Sequence, residues 1–364
     1  MGRPVRSVPR LVFTDAEAGA CEFPSSNSRS FTYFEPRRLK PTVYEDVTVD
    51  VQPDPLRYLN QDWAYGFATG PGGYPAEWTS AKSSDWHRFR DPNQAWEKTI
   101  YTHNARKVRL VEQSIANARN EGGFERWSPG WSGIVERHVG AWMHAEYGLG
   151  MYVFLPAQRD APTNMINNAI AVNAMHKLRS AQDLALFNLE AGEARSSFDG
   201  KAHLGAWNDD PIWQPARENV ERLTAIRDWC EAVVAANLAF EPLVGELFRS
   251  GLVIATAAAN GDFVTPTIMG VVESDFERDL AYTKELLGGL THDKQYAAEN
   301  RAVLRDWLSA PIAMSLRAAR SLAPIWSEAE HSPVSFDSQL TRARERLRAI
   351  LAELDIQAPA ELDG

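Results

Sequence analysis

The chain has 364 residues, 44% of them hydrophobic and 24% charged, with a formal net charge of −10. That length holds about two domains, or one large one with a substantial core, and the composition is that of a soluble globular protein. The acidic balance excludes a broad nucleic-acid surface, because no general excess of Lys and Arg exists to displace phosphate counterions.

Residues 1–60 contain Pro4, Pro9, Pro24, Pro36, Pro41, Pro53 and Pro55, which break any helix, and show neither helical nor strand periodicity. A disordered tail explains the prolines. Phe31, Tyr33, Phe34 and Tyr44 are better explained by an extended N-terminal arm lying on another subunit, since solvated tails are poor in aromatics. The start has arginines but no apolar core of a signal peptide, and Arg6 stands where a myristoylation motif needs Ser or Thr. The longest uncharged apolar run, "GLVIATAAANG", is about half of the ~20 residues that cross a bilayer. Cys21 and Cys230 are too few for a disulfide framework or a four-thiolate zinc site. The expectation is a soluble, cytoplasmic protein.

Residues 61–93, "QDWAYGFATGPGGYPAEWTSAKSSDWHRFRDPN", read as an aromatic, turn-rich loop region. Its "GPGG" has no strand before it and no helix directly after it, so the geometry of a phosphate cradle is missing. Seven of the twelve tryptophans fall between Trp63 and Trp142, which implies either a large aromatic core or a covered partner surface.

From Gln94 the pattern is helical almost to the end. "NQAWEKTIYTHNARKVRLVEQSIANARNEGG" has a proline before it and glycines after it. Ile134 to Phe154 forms the next helix, stopped by Pro156. In "APTNMINNAIAVNAMHKLRSAQDLALFNLE" the residues Ile166, Ile170, Ala174, Leu178, Ala181, Ala185 and Leu189 recur at steps of three and four. Residues 212–258 continue the helical pattern, with a bend or split at Pro242. Shorter helices are expected at about 273–289, 294–309 and 311–326. "SFDSQLTRARERLRAILAELD" is amphipathic through Leu340, Leu347, Ile350, Leu351 and Leu354. With no alternating strand pattern and no internal repeat, the chain is all-α: a large helical bundle over 94–330, then a C-terminal amphipathic helix and tail over 331–364.

A carboxylate-bridged iron pair in a four-helix bundle needs a Glu from each of two helices and a Glu-x-x-His pair from each of the other two. Only Glu328 and His331 have that spacing, near a break late in the chain and without a second copy. In "GIVERHVGAWMHAEYGLGMYVF" the residue types are right, but the directions are not. At ~100° per residue, setting Glu136 at zero places His138, His144 and Glu146 at about 200°, 80° and 280°. Polar bonding to neighbouring helices or a partner is the simpler reading. His176, Arg179 and Asp183 share a face and are commoner as a solvated or interhelical network than as an acid–base set. Asn173 and His176 have the metal-pair spacing with a neutral amide in place of the carboxylate, which cannot offset the charge of iron. No nucleophile elbow, P-loop or His-Glu-x-x-His helix is present.

The blocks "YLNQDWAYGFATGPGGYPAEWT", "SSDWHRFRDPNQAWEKTIYTHNA", "VERHVGAWMHAEYGLGMYVFLPAQRDAPTNMINNAIAVNAMHKLRSAQDLALFNLE" and "DPIWQPARENVERLTAIRDWCEAVVAANLAFEPLVGELFRSGLV" carry a resemblance. They are similar to the small (beta) subunit of the hydroxylase in soluble bacterial multicomponent diiron monooxygenases. The nearest branch is the propane monooxygenases, with tetrahydrofuran and acetone/phenol monooxygenases close by, and the similarity covers roughly residues 55–330. The resemblance implies a ferritin-like, ribonucleotide-reductase-like bundle lacking iron ligands, paired with a catalytic alpha subunit in an α2β2 core. It further implies a diiron centre in alpha, a reductase with flavin and iron–sulfur groups that passes electrons from NADH, and a small coupling protein. No catalytic, cofactor-binding or metal residue carries over to this chain. Two other readings stay open at this level: a self-sufficient metalloenzyme using Glu136, His144, His176 and Asp183, and a helical scaffold unrelated to oxidation.

Overall fold

Helices form where apolar residues recur at three- and four-residue steps, and their ends are set by caps and glycine more than by proline. The structure, a computed structural model, describes residue 37, residues 41–49 and residues 78–363. No strand occurs among the described residues. Nine helices organise them: α1 Glu97–Asn120, α2 over residues 129–160, α3 Asn164–Ala194, α4 Ala202–Asp209 and α5 Gln214–Thr224. After them come α6 over residues 229–254, α7 Thr265–Thr291, α8 Ala297–Ser321 and α9 Phe336–Glu353. The central bundle is made by α2, α3, α6 and α7, with α8 and α9 laid over α6 and α1 laid against α3 and α7.

Three prolines behave differently from the sequence expectation. The backbone passes through Pro156, Pro242 and Pro311 without ending a helix. Pro156 sits in the first turn of the closing α-helical segment of α2, directly after a π-helical stretch, Leu149–Phe154, a position where its missing N–H costs little. Pro242 lies inside the π-helical Ala235–Gly245, and at its end the Glu246 N–H reaches Glu241 O, five residues back. That wider winding relieves the clash a proline ring makes with the preceding turn. In α8 the buried face Leu304, Leu308, Ile312 and Ser315 runs straight past Pro311, so packing holds the two expected helices as one.

The break expected at Pro242 falls instead at Asp228, whose Oδ1 accepts from the N–H groups of Cys230 (2.9 Å) and Glu231 (3.2 Å) and so caps α6. Ser80 N–H donates to the other oxygen at 2.7 Å, tying the loop region to that cap. α7 begins earlier than expected because Asp262 accepts from the backbone of Val264 and Thr265 and from the Trp131 indole (2.9 Å). Gly261 before it has φ 83°, and a Cβ there would lie 2.5 Å from Arg126 O, so only glycine fits. α4 was not anticipated from the sequence.

The described part of the N-terminal region contains a π-helical turn, Glu45–Val49, where no helical pattern was expected. Buried Tyr44 anchors it by accepting from Asp91 N–H at 3.1 Å. The rest of residues 1–60, and 61–77 with the "GPGG" stretch, lie outside the described residues. Residues 78–93 are loop, with short turns at Trp86–Arg88 and at residues 92–93. Tryptophans fill the bundle: Trp131, Trp142, Trp213 and Trp229 are essentially inaccessible, and Trp142 stacks on Phe248 (5.1 Å between centroids) and Phe240. The α3 stripe holds at its start, where Ile166, Ile170 and Ala174 are buried. Toward its end the buried face turns to Leu184, Phe187 and Ala191, leaving Leu189 67% exposed.

Candidate functional site

Charged side chains from all four central helices meet in the core. Glu146 comes from α2, Lys177 from α3, Glu241 and Arg249 from α6, and Glu273 from α7. Lys177 Nζ lies 2.6 Å from Glu241 Oε1 and 3.3 Å from Glu146 Oε2. The Arg249 guanidinium bonds Glu241 Oε2 (2.8 Å), Glu273 Oε1 (2.7 Å) and Glu146 Oε1 (3.3 Å). The Trp142 indole donates to Glu146 Oε1 at 2.8 Å, and the guanidinium also lies over the Trp142 and Phe276 rings. Gly245 gives the cluster room, since a Cβ there would come within 2.8 Å of both Arg249 and Glu241.

The electrostatics follow from burial and pairing. Burial pushes the Glu241 carboxyl up, but Arg249 and Lys177 more than offset it and hold it below its usual range. Burial dominates at Glu146, with Glu241 adding to it, so that carboxyl is raised despite Lys177. Burial works against the Lys177 and Arg249 cations, yet their carboxylate partners leave both raised. Two fixed cations thus pair with all three carboxylates of the cluster.

A second network adjoins it between α1, α3 and α7. His176 Nδ1 is 2.8 Å from Asp279 Oδ1, its Nε2 faces Asp275 at 3.4 Å, and Asn173 Nδ2 donates to Asp279 Oδ2 at 2.9 Å. The Asn-x-x-His pair therefore does converge on one group, which is a carboxylate. Asn237 and Tyr282 both donate to Asn173 Oδ1 (2.9 Å each). Asp275 is bonded by Lys107 and Arg179, and Arg179 also holds Asp183. Burial pushes Asp183 up to about 6, helped by Asp275 and opposed by Arg179. The interhelical reading of His176, Arg179 and Asp183 is the one the geometry supports.

Glu136, His138, His144 and Glu146 go to four different neighbours, as their directions implied. Glu136 accepts from Asp199 N–H at 2.6 Å. Buried His138 accepts at Nδ1 from the Trp213 indole (2.9 Å) and meets Glu328 at Nε2 (3.2 Å). His144 Nε2 lies 3.0 Å from His203 Nδ1, with its ring stacked on His203 and Trp207. Glu328 is claimed by Arg137 and His138, while His331 is held through its backbone by Asn260. Glu328 and His331 therefore share no target.

These residues do not fit a diiron centre. Each core carboxylate already has a cation, no histidine enters the cluster, and both His176 nitrogens face carboxylates. Among the described residues no three His, Cys, Asp or Glu side chains converge as a metal cage. The sequence search missed Lys177, Glu241, Arg249, Glu273, Asp275 and Asp279. One signal was present for two of them: Glu241 and Arg249 interrupt the otherwise apolar "AANLAFEPLVGELFRSGLVIATAAAN", and a charge in a fully buried helix needs a partner.

Fold and core together define a ferritin-like helical bundle whose centre is built from ion pairs. A family model described as methane/phenol/alkene hydroxylase matches residues 63–294. The chain is 54% identical to the propane 2-monooxygenase hydroxylase component small subunit of Mycolicibacterium goodii, over 98% of this chain and 97% of that one. It is 25% identical to the methane monooxygenase component A beta chain of Methylosinus trichosporium, over 89% and 83% of the two. A solved structure of phenol hydroxylase from Pseudomonas sp. OX1 superposes with a TM-score of 0.74 at 18% identity, covering 93% of this chain and 99% of that one. The chain belongs to the methane/phenol/alkene hydroxylase family, and its role is that of a hydroxylase subunit of a monooxygenase.

Proposed function

We propose that this chain is the non-catalytic small subunit of a monooxygenase hydroxylase that oxidises propane or a similarly small substrate. In this reading it pairs with a larger catalytic subunit, two copies of each, and the larger subunit carries the two irons that activate O2. Electrons come from NADH through a separate reductase, and a small coupling protein completes the system, in the cytoplasm. The N-terminal region contacts the catalytic subunit. Propane is favoured by the names of the relatives that are 52–54% identical over nearly the whole chain.

One observation carries the non-catalytic part: Lys177 and Arg249, at 2% and 0% exposure, are bonded to the core carboxylates at the point where four helices meet. A dication brought there would face two cations that cannot leave, and would have to strip three carboxylates of fixed partners. The contribution of this chain is then mechanical. Catalytic groups must be held to about half an ångström, and an obligate partner burying on the order of 2,000–5,000 Å² imposes that on the neighbouring bundle.

Iron content, and propane oxidation with NADH, the reductase and the coupling protein supplied, measured on this chain alone and on the co-expressed pair, test the reading. The chain alone is expected to carry no stoichiometric iron and to be inactive, with both properties appearing in the pair. Iron bound stoichiometrically by the isolated chain, with an oxo-bridged chromophore, overturns it.

A further inference from the structure

Among the described residues three buried indoles donate to side chains, and Trp213 is the one whose acceptor is an imidazole. Its N–H reaches His138 Nδ1 at 2.9 Å, and His138 Nε2 lies 3.2 Å from Glu328 Oε2. Because Nδ1 accepts from the indole, the neutral imidazole carries its own proton on Nε2, toward Glu328. Burial raises the Glu328 carboxyl, but His138 and Arg137 outweigh it and hold it below its ordinary range. A base backed by a carboxylate thus faces a fully buried indole. The other two indoles differ. The Arg249 guanidinium lies 5.6 Å over the Trp142 ring, and a cation on that face opposes positive charge developing there. Trp131 donates to Asp262, but among the described residues no aromatic ring stacks on it to lead outward.

An aromatic path leads from Trp213 to the surface. Its ring centroid is 5.9 Å from that of half-buried Trp207, which stacks on His144 at 5.8 Å. Trp207 and His144 line a cleft of about 640 Å³ between α2, α4, α5 and the start of α6, with exposed Tyr147 and Tyr152 on its wall.

We propose that Trp213 is a redox-active residue: a one-electron radical oxidant in this cleft oxidises it through Trp207, and His138 takes the indole proton. Trp207 gives one electron to the oxidant and regains one from Trp213, while the Trp213 N–H proton passes to His138 Nδ1. The products are the reduced oxidant, an unchanged Trp207, a neutral indolyl radical and an imidazolium. The 2.9 Å separation is within reach of proton transfer. A buried imidazolium is costly unless paired, and its Nε2–H already faces the Glu328 carboxylate. A one-electron reductant of the thiolate or ascorbate class reverses the step from the same cleft, its electron passing through Trp207 as the proton returns from His138. The oxidising equivalent is thereby held away from Tyr147 and Tyr152, which solvent and O2 can reach.

The test uses the full chain with photogenerated tris(bipyridine)ruthenium(III) as oxidant, and ring-deuterated tryptophan to identify an indole signal. Transient absorption, and electron paramagnetic resonance after freezing, are expected to show a long-lived neutral indolyl radical. It should form more slowly in D2O and disappear on adding ascorbate. Trp213→Phe, which keeps a ring in place, is expected to abolish that signal, and Trp207→Phe to slow its appearance without altering its spectrum. His138→Gln is expected to leave the proton on the oxidised ring and give the spectrum of the radical cation. Should that variant not fold, the D2O comparison on the unaltered protein decides the proton step. The proposal is overturned if the same radical persists in Trp213→Phe, if Trp207→Phe leaves its rate of formation unchanged, or if D2O has no effect. It is overturned equally if the unaltered protein yields only tyrosyl radicals.

Discussion

Lys177 Nζ sits 2.6 Å from Glu241 Oε1, with neither side chain keeping more than 2% of its surface. An ion pair so deep is weak as a source of stability but strong as a dependency: removing one partner strands the other's charge, typically at about 3–5 kcal/mol. Lys177→Met should therefore lower the unfolding free energy by that order. Lys177→Met combined with Glu241→Gln should restore part of it, because no uncompensated charge remains on that pair. Urea unfolding of the single and double variants checks this, and equal losses in the two would contradict it.

Acid should loosen the protein through His144. Burial, then His203, lowers this imidazole to about 4 from its ordinary 6.5. The unfolded chain therefore binds more protons than the folded one between those values. The stability associated with neutral His144 is complete above pH 6.5 and is lost progressively as pH falls toward about 4. His144→Phe should shrink the drop in urea midpoint between pH 7 and pH 5, relative to the unaltered protein; superimposable pH profiles would count against it.

Gly245 and Gly270 are both helical glycines with opposite expectations. A Cβ at Gly245 would press on Arg249 and Glu241, both pinned by ion pairs, whereas one at Gly270 meets nothing within 4 Å. Gly245→Ala should destabilise by about 1–3 kcal/mol, and Gly270→Ala should stabilise by roughly 0.5–1 kcal/mol. Thermal melts of the two variants give the signs directly.

Cys230 should resist thiol reagents in the native protein. Its side chain is fully buried in α6 and burial pushes its thiol well above the ordinary range, further raised by Asp228. Little thiolate then exists to react. Alkylation followed by peptide mapping should find Cys230 labelled only after denaturant is added.

The helical character of the chain was legible because burial on one side leaves a three-to-four period in the sequence. Breaks were harder to read. A stop is expected at Pro156, a bend or split at Pro242 and a break between 309 and 311, yet winding and packing carry the helices through Pro156, Pro242 and Pro311, and side-chain carboxylates at Asp228 and Asp262 set boundaries instead. The candidate site was legible only as a mismatch. Searching for ligands three residues apart cannot reveal Lys177 with Glu241 or Glu146 with Arg249, whose partners lie 64 and 103 residues apart. Only the fold brings them together.

The π-helical centre of α6, Ala235–Gly245, is buried at every position, and the helices that cover it, α8 and α9, come later in the chain. During synthesis from the N-terminus, this rod emerges before its own sheath exists. A nascent polypeptide halted near Thr291 would leave the face that α8 and α9 cover bare and prone to self-association, which gives chaperones and the timing of translation a direct hold on how much of the subunit matures.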